Sequence, residues 1–258
     1  MLKTRVIPCL LLRNEALVKT VKFKKFGYIG DPANTVRIFN ELEVDELVFL
    51  DILASKNNQT IKFNTLQEIA SEAFMPLAYG GGIRTFDDAK KILKIGFEKL
   101  IINSYAVENP QFITQLANHF GNQSVIGSID VKKNFFGKYE VVTYGATKKT
   151  KLNPVEWALR LEKLGAGELL ITSVDKEGIW EGYDYELIKQ ITDSVSIPVI
   201  ANGGAGNLDH IEKVVKESKA SAVALGSMVV YQKKGMGVLV NFPDRKELER
   251  VLNENSSC

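Results

Sequence analysis

The chain is 258 residues long and 45% hydrophobic, with a formal net charge of +2. That length suits two small domains or one large α/β barrel, and so balanced a charge exerts no global pull on nucleic acid or an anionic membrane. No segment reaches the roughly 18 apolar residues of a membrane span, and Cys9 and Cys258 make no disulfide framework, so a soluble protein of a reducing, cytoplasmic compartment is expected.

Taken in chain order, short apolar runs alternate with longer amphipathic segments. RVIPCLLL (5–12) reads as a first strand, followed by a long basic loop (13–31) carrying Lys19, Lys22, Lys24 and Lys25. DPANTVRIFNEL (31–42) is a helix opened by an aspartate cap, and ELVFLDIL (46–53) a second strand. PLAYGGG (76–82), the helix TFDDAKKILKIG (85–96), KLIINS (99–104) and the helix NPQFITQLANHFG (109–121) follow. The fifth strand is SVIGSIDV (124–131), and the stretch after it, to residue 154, has hairpin character around Asn134 and Gly137. NPVEWALRLEKLG, ELLITSVD, DYELIKQITDSV, PVIANGG, LDHIEKVVKES and AVALGS complete the alternation. In the helical segments apolar residues recur three and four apart behind polar caps. Eight strands alternating with helices predict a (β/α)8 TIM barrel as a single domain over 1–258. A doubly wound open sheet is the alternative, but no G-x-G-x-x-G follows the first strand.

The chain also repeats itself. ELVFLDILAS from Glu46 matches ELLITSVDKEG from Glu168, and PLAYGGGIRTF from Pro76 matches PVIANGGAGNL from Pro198. KLIINSYAV pairs with AVALGSMVV, and VIPCLL ending at Leu11 with VIGSID ending at Asp130. Segments that match in order at nearly constant offset predict two homologous half-barrels, approximately 1–120 and 121–245.

Alternate residues of a strand share a face. Arg5, Glu46, Lys99 and Glu168 each open a strand, with small or apolar residues following on the same face. If that face points inward, two cations and two anions close the base of the barrel, as a structural plug or as a gate. Barrel sites lie at the opposite, C-terminal ends of the strands, where Asp130, Asn103 and Thr172 stand. A carboxylate there reads as an acid–base catalyst. Glycines and helix starts at Gly82/Asn103/Ser104 and at Gly204/Gly226/Ser227 predict two anion sites, and so a substrate with two phosphates. Asp51, Asp175 and Glu177 are further carboxylates around the rim, whereas any single lysine of the basic loop reads as solvated surface. His119 and His210 have no ligand partners at useful spacing, so neither a metal nor another cofactor is expected.

These segments together resemble the cyclase subunit of imidazole glycerol phosphate synthase. DELVFLDI, GGGIRTF, AVENP, GAGELLITSVDKEG and GGAG are similar to that family's segments, and the likeness spans essentially the whole chain. The resemblance implies a barrel that receives ammonia from a separate glutaminase docked at the strand N-terminal face. It implies addition of that ammonia to a bis-phosphorylated ribulosyl nucleotide, whose adduct is cyclised and cleaved to imidazole glycerol phosphate and an aminoimidazole carboxamide ribotide. By the same resemblance Arg5, Glu46, Lys99 and Glu168 match an ammonia gate. Gly82, Asn103 and Ser104 match one phosphate site, and Gly178, Gly204, Gly226 and Ser227 the other, with Lys19, Thr172 and Glu177 as further substrate contacts. The family's two catalytic aspartates end its first and fifth strands; Asp130 matches the second, and the first falls on Leu11. The family's DGT after the sixth strand reads Glu177-Gly178-Ile179 here. Two functions stay open. One is a synthase subunit acting through Asp130. The other is a paralogue that docks a glutaminase and passes ammonia to a third enzyme, one that amidates a surface-polysaccharide sugar. The sister sugar-phosphate isomerase also needs two carboxylates and has no use for charges at the base.

Overall fold

A computed structural model describes residues 4–253; Cys258 lies outside them. Its strands are β1 (Arg5–Arg13), β2 (Ala16–Val21), β3 (Lys25–Gly30), β4 (Leu47–Asp51), β5 (Leu77–Gly80), β6 (Lys99–Ile102), β7 (Val125–Lys133), β8 (Tyr139–Thr143), β9 (Lys148–Lys149), β10 (Glu168–Ser173), β11 (Val199–Asn202) and β12 (Ala222–Leu225). β1, β4, β5, β6, β7, β10, β11 and β12 pair in parallel in that order, and β12 returns to β1 with Arg5 opposite Ala222. This is the expected (β/α)8 barrel.

Local chemistry sets the helix starts. Asp31 accepts a hydrogen bond from the Asn34 amide ahead of α1 (Pro32–Glu41), and Thr85 one from the Asp88 amide ahead of α3 (Phe86–Ile95), which follows α2 (Phe63–Glu72). α4 (Ser104–Glu108) and α5 (Gln111–Phe120) come next; Asn153 then caps α6 (Pro154–Leu164), which stops at the left-handed Gly165. Asp184 and Asn207 do the same for α7 (Tyr185–Thr192) and α8 (Leu208–Lys216). The two closing helices are α9 (Ser227–Val230) and α10 (Arg245–Asn253).

Strands buried on both faces read as continuous apolar runs, and they divide the core in two. One face packs under the helices, through residues such as Leu10, Phe49, Tyr79 and Leu169. The other fills the bore with Ile7, Cys9, Val48, Ala78, Ile101, Leu170 and Ile200. The face that Arg5 shares with Ile7 and Cys9, whose direction the sequence left open, therefore points inward. Asn103 and Gly226, equivalent in the internal repeat, share one uncommon backbone conformation (φ −118°, ψ −93° and φ −103°, ψ −91°).

The expected loop over 13–31 is instead structured. β1 continues to Arg13, the chain turns at Asn14 and Glu15, and β2 and β3 form an antiparallel hairpin. The lysine density disguised the β-branched Val18, Thr20 and Val21 of β2 and the alternating Phe26 and Tyr28 of β3. The hairpin expected after the fifth strand is present as β7–β8, with Lys133 opposite Tyr139 around the 134–137 turn. No helix among the described residues is long and apolar enough to cross a membrane.

Candidate active site

The four charges that open β1, β6 and β10 and precede β4 meet at the base of the bore. Arg5 pairs with Glu46 and with Glu168, and Lys99 pairs with the same two carboxylates at 3.0 Å each. Each ion thus has two partners, the condition under which buried charges are tolerated. Burial works against the Arg5 charge, but Glu168 and Glu46 outweigh it and hold its pKa above the usual value. The ring lies directly below the apolar bore.

At the other end of the bore an open mouth gathers the candidate catalytic and substrate-binding residues. Lys19, Gly82, Asn103, Ser104, Asp130, Thr172, Glu177, Gly178, Gly204, Gly226 and Ser227 line one cavity, together with Leu11. The register explains part of this, because Thr172 sits opposite both Asp130 and Asn202 on neighbouring strands. Asn202 donates to the Thr172 hydroxyl at 3.0 Å. Burial pushes the Asp130 carboxyl up to about 7, although hydrogen bonds from Asn103 and Thr172 pull the other way; the Glu177 charge adds to the rise. A carboxyl with that affinity can both give and take a proton near neutrality. Cys9, below it, is buried and its thiol is pushed up to about 12, so it is an inert wall residue.

Lys19 and Glu177, both expected as substrate contacts at the mouth, are buried. Lys19 is 8% and Glu177 4% exposed, and they form an ion pair. Glu177 also accepts from the Phe23 amide at 3.2 Å, and its carbonyl from the Lys22 amide at 3.0 Å. These contacts hold the β2–β3 hairpin over the mouth. Two glycines permit the approach. A Cβ on Gly178 would lie 2.4 Å from the Thr20 carbonyl oxygen, and one on Gly226 2.7 Å from Lys19 Cε. Lys19 is thereby laid against the Gly226/Ser227 corner.

The opposite corner is built the same way by the second hairpin. The Tyr144 amide donates to Ser104 Oγ at 3.0 Å, and the Tyr144 hydroxyl donates to Glu108. The Gly82 amide donates to Ser55 Oγ at 3.1 Å. Ser55, which lines the mouth, and Tyr144, which braces Ser104, carried no sequence signal, since each acts across a loop junction. Asp51 is accounted for locally: burial raises its pKa, and it accepts from the Leu53 and Ala54 amides, which oppose that rise. Asp175 likewise accepts from the Lys133 amide at 2.9 Å. His119 packs edge-on against Phe86 and Phe120, and the His210 ring accepts from the Gly206 amide.

A family model described as "Histidine biosynthesis protein" matches residues 5–235. The chain is 46% identical over 249 residues to a Pseudomonas aeruginosa protein provisionally named imidazole glycerol phosphate synthase subunit hisF2, covering 96% of this chain and 99% of that one. It is 44% identical to a Vibrio vulnificus protein with the same provisional name and the suffix hisF3, covering 98% and 97%. The Alkaliphilus metalliredigens protein named imidazole glycerol phosphate synthase subunit HisF is 44% identical over 231 residues, covering 90% and 92%.

Proposed function

The chain belongs to the histidine biosynthesis protein family, and from that premise we propose that it is an imidazole glycerol phosphate synthase-type cyclase subunit, which takes ammonia from a glutaminase and uses it on a phosphorylated substrate. The observation that carries this reading is one continuous arrangement. A four-charge ring at the base opens into an apolar bore, and the bore ends at Asp130 in a mouth with two glycine-lined corners. Ammonia is neutral and can cross an apolar bore, whereas ammonium would be left desolvated and unpaired there. Arg5, Glu46, Lys99 and Glu168 act as the gate. Asp130 is the acid–base group. Gly82, Asn103 and Ser104 hold one phosphate, and Gly178, Gly204, Gly226 and Ser227, with Lys19, the other; Thr172 and Glu177 position Asp130 and Lys19.

The glutaminase docks at the base. Phe74, at the entry to β5, is 89% exposed on that side, and its amide donates to Asn40 Oδ1 at 3.1 Å, which fixes its backbone. Titrating the cognate glutaminase against the chain tests this. Phe74→Ser is expected to weaken binding about 30-fold, the effect of losing an aromatic anchor, while Phe135→Ser, at the mouth, leaves it unchanged. Binding lost only with the mouth variant would overturn the docking face.

Phosphate binding has its own test. Inorganic phosphate at 100 times its Kd is expected to stabilise the protein by about 2.7 kcal/mol, read as a rise in Tm. Ser104→Ala and Ser227→Ala should each reduce that rise. A wild-type Tm indifferent to saturating phosphate would leave the glycines as turn residues only.

One observation favours a second reading. Leu11 stands where the family's first aspartate is expected, and leucine transfers no proton. In this reading the subunit docks a glutaminase and conducts ammonia to a third enzyme, which amidates a sugar of a surface polysaccharide.

A further inference from the structure

The net charge of +2 hides a strong segregation. The three segments 13–31, 131–151 and 231–240, all on the mouth side, hold thirteen lysines and arginines against three carboxylates. The rest of the chain holds twenty cations against twenty-eight carboxylates. Within this basic rim the largest apolar side chains are turned out to solvent. Phe135 and Phe136, at the tip of the second hairpin, are 96% and 83% exposed, with their rings edge to face. Across the mouth, Phe26, Tyr28, Val238 and Leu239 form a second exposed edge. The two segments that carry it are neighbours, since Gly27 lies against the Tyr231 hydroxyl and Tyr231 bridges to Val238. Apolar side chains scattered singly are ordinary, but aromatic clusters set in a predominantly basic rim mark contact surfaces.

We propose that the mouth rim is a second docking face, opposite the glutaminase side, for a protein whose own contact surface is acidic around apolar pockets that receive Phe135 and Phe136. The basic rim supplies charge complementarity and steers the encounter. A polyanion or an anionic bilayer fits less well, because carboxylates interleave with the lysines. Asp175 sits at the base of the second hairpin, and Glu181 pairs with Lys234 at 3.7 Å. A polyanion or a bilayer presses charge on them uniformly, whereas a folded protein can place neutral groups opposite them and carboxylates opposite the lysines. The inference deepens the conduit reading, on which it rests for what the partner receives: a protein seated on both aromatic edges encloses the exit of the bore.

The test uses the full chain with its glutaminase, expressed in its own organism with Phe135→benzoylphenylalanine as a photo-crosslinker. The captured protein is identified by mass spectrometry, purified and titrated. The expected result is an acidic enzyme that consumes ammonia. Its Kd should weaken at least about 10-fold in Phe135→Ser/Phe136→Ser, and again between 50 and 500 mM salt, on the order of another 10-fold. Glutaminase affinity should not change. Crosslinks only to a second copy of the chain, to RNA or to lipid, no crosslink, or a Kd indifferent to the double substitution would each overturn the proposal. If the acidic partner binds as expected but no glutaminase binds the base, the conduit reading fails and the docking face stands.

Discussion

Leu11→Asp is expected to raise ammonia-dependent turnover of the bis-phosphorylated nucleotide from a wild-type rate about 10²–10⁴-fold below that of a two-aspartate cyclase, the usual cost of a missing acid–base group. The position is ready for a carboxylate. Leu11 lies opposite Leu50 and Val18 on the adjoining strands and lines the same cavity as Asp130. The new side chain would meet both charges of the Lys19–Glu177 pair, which act on Cys9, two residues below, in opposite directions. Recovery should be partial, because Glu177-Gly178-Ile179 departs from the family pattern and because burying a carboxyl there costs on the order of 1–3 kcal/mol in stability. Single-turnover rates of wild type and variant, measured with ammonium salts instead of a glutaminase, separate chemistry from ammonia delivery. Wild-type turnover at ordinary family rates would show that Asp130 suffices alone. If wild type and Leu11→Asp are both inert while the glutaminase still binds, conduction of ammonia is the function that remains.

Asp130→Asn should abolish whatever cyclase activity the wild type has, again by about 10²–10⁴-fold, and at the same time make the protein more stable at neutral pH. The sign follows from linkage. Burial raises the folded-state pKa of Asp130 to about 7, from 3.8, so over that interval the native state holds a proton that the unfolded chain releases. The stability this contributes is complete below about pH 4 and is lost as the pH rises through about 7. A shift of that size corresponds to a few kcal/mol, at roughly 1.4 kcal/mol per pKa unit. Asparagine keeps the shape and does not titrate. Chemical denaturation at a series of pH values should therefore show wild type and variant alike near pH 4 and diverging up to pH 8, with the variant ahead. Curves that stay parallel would mean that Asp130 is not held protonated in the native state. If Asp130 serves as the base, the activity of the Leu11→Asp protein should also rise through pH 7.

Much of this molecule was legible in the chain itself, for physical reasons. A barrel strand buried on both faces must be apolar nearly throughout, so all eight runs stood out between capped amphipathic helices. The period of two along those strands put Arg5, Glu46, Lys99 and Glu168 at one end of a shared strand face and Asp130, Asn103 and Thr172 at the other; that this face points inward was decided by the fold. The internal repeat pointed to Leu11 as the partner position of Asp130. What only the folded chain decided were pairings between segments distant in sequence. Lys19 and Glu177, 158 residues apart, carry no local sign that they will neutralise each other in a buried pair. That pair, with Gly178 and Gly226 clearing the space, turns an expected solvated basic loop into a hairpin fastened over the mouth. The same holds for Tyr144 on Ser104 and for the raised affinity of Asp130, which depends on how completely its neighbours exclude water. Net charge sums over the whole chain and is blind to direction, so a nearly neutral protein can still carry thirteen cations on its mouth side. The connectivity of a barrel already assigned the two loops after the first and fifth strands to that side, and the fold added the segment 231–240.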